Sequence, residues 1–220
     1  MLDKLYFWIH RKLSRPDEQG EYSAGVWQNA VRDKVMALSA DAAGKVLEVG
    51  CGEGLLLLKL AGLKPKLDIY GIDIWNDILV RAQIKLDKNN IQNVKLTQAD
   101  AAKLPFSDDF FDRVICINVF FNLPREEMVL QTIKEISRVV RRNAKIIVDI
   151  RNSFNPLLYL KYKFAKYYDP TVKDLPLRTY SYKKIVKYLE MNNFKVIKKI
   201  EIGFPYNNLA PIFVIQAQRI

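Results

Sequence analysis

Lys45–Leu60 reads KVLEVGCGEGLLLLKL, a strand, a turn and a helix from which the rest of the chain can be laid out. Lys45 to Val49 is a short run of strand formers. Gly50, Cys51, Gly52, Glu53 and Gly54 form a tight glycine-rich turn, and Leu55 to Leu60 continues as an apolar helix. A strand, a glycine turn and a helix in that order bring the helix's first N–H groups to the end of a buried strand, where a ligand finds donors. The glycines are spaced G-x-G-x-G. The dinucleotide fingerprint needs G-x-G-x-x-G, so the spacing opposes a dehydrogenase.

Outward from this turn, strand and helix patterns alternate. Leu67–Asp73 (LDIYGID) and Val94–Asp100 (VKLTQAD) read as strands, each ending in an acid, with helical spacing over 77–89 between them. Phe111–Asn118 (FDRVICIN) is nearly continuously apolar at its centre, as in a sheet buried on both faces. A helix over 125–140 and a fifth strand over 144–150 follow. The alternation predicts βαβ units and a parallel sheet, with ligands outside the carboxyl ends of the strands. Glu48 to Gly54, Asp73, Asp100, Asn118 and Asp149 all fall at that edge. Residues 154–180, rich in Tyr, Lys and Pro, read as an insertion and not as a further βα unit. Ser181 is a fitting N-cap for a helix to Asn192. Phe194–Gly203 and Pro211–Gln218 read as a closing antiparallel hairpin.

At 220 residues, half of them hydrophobic, the chain suits one domain with an elaboration. Residues 2–13 carry a helical stripe of Leu2, Leu5, Ile9 and Leu13 beside Tyr6, Phe7 and Trp8. Residues 1–20 are therefore expected to be a basic amphipathic helix, a lid or surface contact on a domain over 21–220. The net charge of +11 is uneven: residues 1–15 hold Lys4, Arg11, Lys12 and Arg15 against Asp3, and residues 155–199 hold eleven Lys or Arg against Asp169, Asp174 and Glu190. The remainder carries no net charge. Cys51 and Cys116 lie on different elements, which argues against a disulfide framework or zinc site and for a reducing compartment. No apolar run approaches the ~18 residues of a membrane span, and the N-terminus lacks a signal-peptide pattern. A cytoplasmic protein is expected, with peripheral contact to an anionic membrane as an option for the basic segments.

The motifs resemble those of class I S-adenosylmethionine (SAM)-dependent methyltransferases, specifically the quinone-biosynthesis-type (methyltransferase type 11-like) branch. VLEVGCGEG matches the first motif, GIDI the ribose-binding acid, and QADAAKLPFSDDFFDRVICINVFFNL the adenine acid with the fourth strand; the likeness covers roughly residues 20–150. It implies a Rossmann-like three-layer α/β sandwich, whose mostly parallel seven-stranded sheet has one antiparallel strand at the C-terminal end. It also implies that Glu48, Gly50, Cys51, Gly52, Gly54, Asp73, Ile74, Asp100, Ala101 and Asn118 line the cofactor site and that the product is S-adenosylhomocysteine (SAH). In this scheme Glu48 helps hold the methionine ammonium, Asp73 accepts from the ribose hydroxyls, Asp100 accepts from the adenine amino group beside the Ala101 N–H, and Ile74 and Leu104 flank the ring.

Two positions depart from the family pattern. Where relatives often have a His pair the chain has Phe121–Asn122, which removes a catalytic imidazole. Where they have a Pro-Gly-Gly turn it has Arg141–Ala144, with Asn143 able to take positive φ. Methyl transfer from a sulfonium needs a base only if the nucleophile must lose a proton. Tyr22, Asp149 and His10 are the candidates, and Asp149 has Arg151 as an alternative use. No metal is expected. Seven of the eleven tyrosines lie in residues 155–199. Tyr and Lys together suit a small-molecule or lipid-linked acceptor, anionic in character. An RNA substrate and a non-catalytic SAM-binding protein are the alternatives.

Overall fold

Alternate residues of each central strand face opposite sides of the sheet, and both sides are apolar. Leu47, Val114, Ile146 and Val148 belong to one buried cluster; Val46, Ile115 and Ile147 belong to the other. A sheet with two such faces needs helices on both. The structure, a computed structural model, describes residues 26–168 and 175–220. The expected N-terminal helix, with His10 and Tyr22, lies outside the described residues.

In chain order the elements are α1 (Val26–Leu38), β1 (Lys45–Val49), α2 (Leu55–Leu63), β2 (Asp68–Asp73), α3 (Asn76–Lys88), β3 (Val94–Gln98), β4 (Phe111–Cys116), α4 (Glu126–Val139), β5 (Val140–Arg151), α5 (Pro156–Tyr168), α6 (Tyr182–Met191), β6 (Phe194–Ile202) and β7 (Ile212–Arg219). The strands form one seven-stranded sheet in the order β3-β2-β1-β4-β5-β7-β6. β3, β2, β1, β4 and β5 pair in parallel; β7 runs against both β5 and β6. The expected sandwich with a single reversed strand is therefore what forms. α1 and α2 pack on one face through Val31, Val35, Leu56, Leu57 and Leu60. α4 and α6 pack on the other through Val129, Ile133, Ile136, Ile185 and Leu189.

Several boundaries move. β3 stops at Gln98 and β4 at Cys116, short of Asp100 and Asn118, so both polar residues stand just beyond the strand tips. β5 begins at Val140. The strand runs straight through Arg141–Ala144, with a register shift against β4 and Asn143 at φ 62°. Ser181 caps α6 as expected, its side chain accepting from the Lys184 N–H at 3.3 Å.

Residues 156–168 form a regular helix inside the stretch read as an insertion. The signal for it was local: Asn155 Oδ1 accepts from the Leu158 N–H at 2.6 Å, and Pro156 follows as the first helical residue.

Candidate functional site

From β1 the chain steps outward to β2 and β3, then returns to place β4 on the other side of β1. The order reverses between β1 and β4, which is where an open parallel sheet leaves a crevice at its carboxyl edge. The glycine turn stands at that point.

Each turn glycine has positive φ: 71° at Gly50, 52° at Gly52 and 76° at Gly54. Two of them serve different ends. A Cβ on Gly50 would lie 2.3 Å from Val119 Cγ2, so glycine lets the β1 and β4 tips close together. A Cβ on Gly52 would meet no atom of the described residues within 4 Å, which leaves room there for a ligand.

The turn is fastened to β2. The Cys51 N–H donates to the Ile72 carbonyl at 2.8 Å, and the Gly52 N–H donates to Asp73 Oδ2 at 2.9 Å. Asp73 Oδ1 accepts from the Trp75 N–H at 3.1 Å. Asp73 therefore ties the turn to the start of α3 while each oxygen keeps a second lone pair. Glu53, a turn residue the sequence did not single out, is buried and pairs with Arg81 (3.4 Å) and Lys85 (3.6 Å) of α3. Both Cys51 and Cys116 are buried free thiols, and burial pushes their pKa values up.

Glu48, one residue before the end of β1, is 4% exposed, and its Oε2 has no hydrogen-bond partner among the described residues. Burial raises its carboxyl well above the ordinary carboxylate range; the Arg32 charge opposes that shift and Asp73 adds to it. A buried carboxyl oxygen without a donor is costly unless something supplies one.

On the outer side, the Ala99 N–H donates to the Asp73 carbonyl at 3.0 Å, which sets the β3 tip beside the β2 tip. Asp100 is exposed, and its Oδ1 accepts from the Ala102 N–H at 2.8 Å, organising its own turn next to the half-buried Ala101. Ile74 is half exposed at the same edge. Leu104 is not: it sits in the core, 4% exposed, with its N–H donating to Glu135 Oε2 at 2.8 Å, so of the two apolar residues expected to flank a ring only Ile74 is open.

On the inner side, Asn118 takes φ 59°. Its N–H donates to Asp149 Oδ1 at 2.7 Å, and its Oδ1 accepts from Arg151 at 2.6 Å. Arg151 also donates to Asp149 Oδ2 at 2.6 Å, so Asp149 takes the use that the Arg151 alternative anticipated. Burial opposes the charge on Arg151, but Asp149 and Tyr162 together more than offset this and its pKa is raised. The guanidinium lies 4.4 Å from the centre of the Phe121 ring and hydrogen-bonds Tyr162 of α5. Phe121 and Tyr162 stack at 6.5 Å. The sequence anticipates the Asp149–Arg151 pair and sets Asn118 at the same edge, but no pattern in it links them to Phe121 and Tyr162; only the missing His pair marks position 121.

Asp100, Asp73, the glycine turn, Asn118 and Asp149 thus stand in a row across five adjacent strand tips. Among the described residues no group of three or more His, Cys, Asp or Glu stands together to hold a metal ion, and no helix is long and apolar enough to cross a membrane.

The profile of the methyltransferase domain family matches residues 40–199. The chain is 31% identical to a phosphatidylethanolamine N-methyltransferase of Cereibacter sphaeroides over 58% of its own length and 61% of the relative's. It is 30% identical to a demethylmenaquinone methyltransferase of Lactobacillus johnsonii over 80% of its length and 79% of the relative's. The fold is shared with magnesium protoporphyrin IX methyltransferase of Synechocystis PCC 6803, crystallised with bound SAH. That match has a TM-score of 0.67 at 21% identity and covers 87% of this chain and 81% of that one.

Proposed function

The chain belongs to the SAM-dependent methyltransferase domain family, and on that premise we propose that it transfers a methyl group to a small-molecule or lipid-linked acceptor entering beside α5. The observation that carries this reading is the buried Glu48 oxygen with no partner among the described residues, on the strand that leads into the Gly52 turn, whose backbone none of those residues crowds. A cationic ammonium supplies the missing donor, and a slim ligand chain occupies the open space. SAM contributes a methyl already activated on a sulfonium.

The chain's own residues do the holding. Glu48 takes the ammonium. Asp73 offers its remaining lone pairs to a ribose diol, already oriented by the Gly52 and Trp75 N–H groups. Asp100 and the Ala101 N–H face an adenine edge, with Ile74 against the ring. Asn118, fixed by Asp149 and Arg151, bounds the reacting end. Asp149 acts as a positioning carboxylate, because one oxygen accepts from Arg151 and the other from Asn118. With no base evident among these groups, the rate rests on orienting an acceptor in line with the methyl carbon, a contribution that well-aligned reactants make large. Phe121 and Tyr162 give that side an aromatic wall suited to an apolar or ring-bearing acceptor. The names of the two relatives, one acting on a quinone precursor and one on a phospholipid, favour such acceptors.

Calorimetry with SAM and, separately, NADH tests the cofactor, with binding of SAM alone expected. Methyl-labelled SAM is then offered with a demethylated quinol, phosphatidylethanolamine, a fatty acid or RNA. Label in an organic-soluble product supports the reading. Label only in RNA, lost as salt rises, replaces it with the RNA alternative.

A further inference from the structure

α5 has two apolar faces. Leu158 and Ala165 are buried, and with Tyr162 they share one side of the helix at 100° per residue. Leu157, Leu160, Phe164 and Tyr167 share the opposite side and are 63%, 48%, 50% and 66% exposed. The inner stripe explains how α5 sits on the fold. The outer stripe stays open to solvent, and exposed apolar groups of this size in a row mark a contact surface. Lys161 and Lys163 flank the outer stripe, and α5 holds no acidic residue.

The stripe continues onto its neighbours. Lys161 Nζ lies 4.5 Å from the Trp27 ring centre at the start of α1. Trp27 Nε1 stands 3.2 Å from where a Gly203 Cβ would be, and Asn155 Nδ2 donates to the Leu209 carbonyl at 2.6 Å. Gly203 and Leu209 bound the loop between β6 and β7. β6 runs parallel to β5, so this loop leaves the sheet at the same edge as α5. Its Phe204 and Tyr206 are 75% and 76% exposed.

We infer that this end of the molecule docks on the surface of an anionic lipid bilayer, with the outer stripe of α5 and the Phe204–Tyr206 tip entering the headgroup–acyl boundary. An apolar stripe with Tyr and Phe, flanked by lysines and lying on a helix too short to span, is the pattern of an interfacial helix. Charge selects the occupant. A second copy meeting this face symmetrically would set lysine against lysine, whereas anionic headgroups complement it. The inference does not depend on which acceptor is methylated.

The test is flotation of the full chain with vesicles of phosphatidylcholine mixed with phosphatidylglycerol, and with phosphatidylcholine alone. Association with the anionic vesicles, weakened by salt, is expected. The exposed pair Leu160→Ser with Phe164→Ser should weaken it by at least about tenfold, given the apolar burial it removes, while SAM binding by calorimetry is unchanged. Lys163→Gln should weaken it about fivefold. No association with anionic vesicles, equal association by the Leu160/Phe164 variant, or a dimer that the same variant abolishes overturns the proposal.

Discussion

Asp149 and Arg151, two residues apart on one face of β5, form an ion pair at 2.6 Å with side chains only 1% and 3% exposed. The pair also holds Asn118 at the β4 tip and, through Phe121 and Tyr162, the helix that follows β5. Removing one partner of a buried pair leaves an uncompensated charge, at a cost of about 3–5 kcal/mol. Arg151→Met should lower the urea unfolding free energy by that amount. Asp149→Leu combined with Arg151→Met should recover part of it. Equal stability of Arg151→Met and the unmodified protein would mean that water reaches the pair.

Asp73 grips the turn from the tip of β2, and the proposed function gives it a ligand role as well. Asp73→Ala should weaken SAM binding by roughly 1.5–3 kcal/mol, the range for hydrogen bonds to charged groups. It should also lower stability, because the Gly52 and Trp75 N–H groups lose their acceptor. Asp73→Asn keeps one acceptor oxygen and should fall between. Calorimetry and urea unfolding on the same samples separate the two effects, and unchanged SAM affinity in Asp73→Ala would free the acid of any ligand role.

Glu48 sets a pH dependence whose sign follows from its environment. Burial raises its folded-state pKa well above the ordinary 4.5. Between those two values the folded protein holds a proton that the unfolded chain has lost. The stability is fully present below the unfolded value and declines as pH rises toward the folded one. Glu48→Gln lacks this decline. Urea midpoints of the two proteins should converge in acid and separate toward neutral pH, with the Gln variant the more stable. SAM should draw the proton off, so its binding enthalpy should vary with the ionisation enthalpy of the buffer.

The glycine turn offers two contrasting substitutions. Gly50→Ala drives a methyl into Val119, 2.3 Å away, and should destabilise the fold, with partial rescue by Val119→Ala. Gly52→Ala meets no atom of the described residues within 4 Å and should cost only the ~1–2 kcal/mol of a left-handed non-glycine residue. On the proposed function its methyl enters the space the ligand takes, so SAM affinity should drop by at least about tenfold, or 1.4 kcal/mol. Thermal unfolding with and without SAM distinguishes the two.

Neighbouring residues alone specify the α/β class, the glycine turn, the acids Asp73 and Asp100 at the ends of the second and third strands, and the Ser181 cap. Each of these is written in neighbouring residues: period two or 3.6 in the apolar positions, glycines where φ turns positive, an oxygen where a helix begins. The same local grammar contained the Asn155–Pro156 start of α5, though the lysines and tyrosines beyond it disguised the helix. What those residues touch is set by the packing of distant parts of the chain. That packing buried Leu104, engaged both Asp73 oxygens with backbone N–H groups, left Glu48 Oε2 without a donor among the described residues, and gathered residues 118, 121, 149, 151 and 162 into one cluster. Such partnerships depend on which strands lie side by side, here β1 with β4 and β5 with β7. Strand order is fixed by long-range packing of the whole sheet, which no short stretch of chain records.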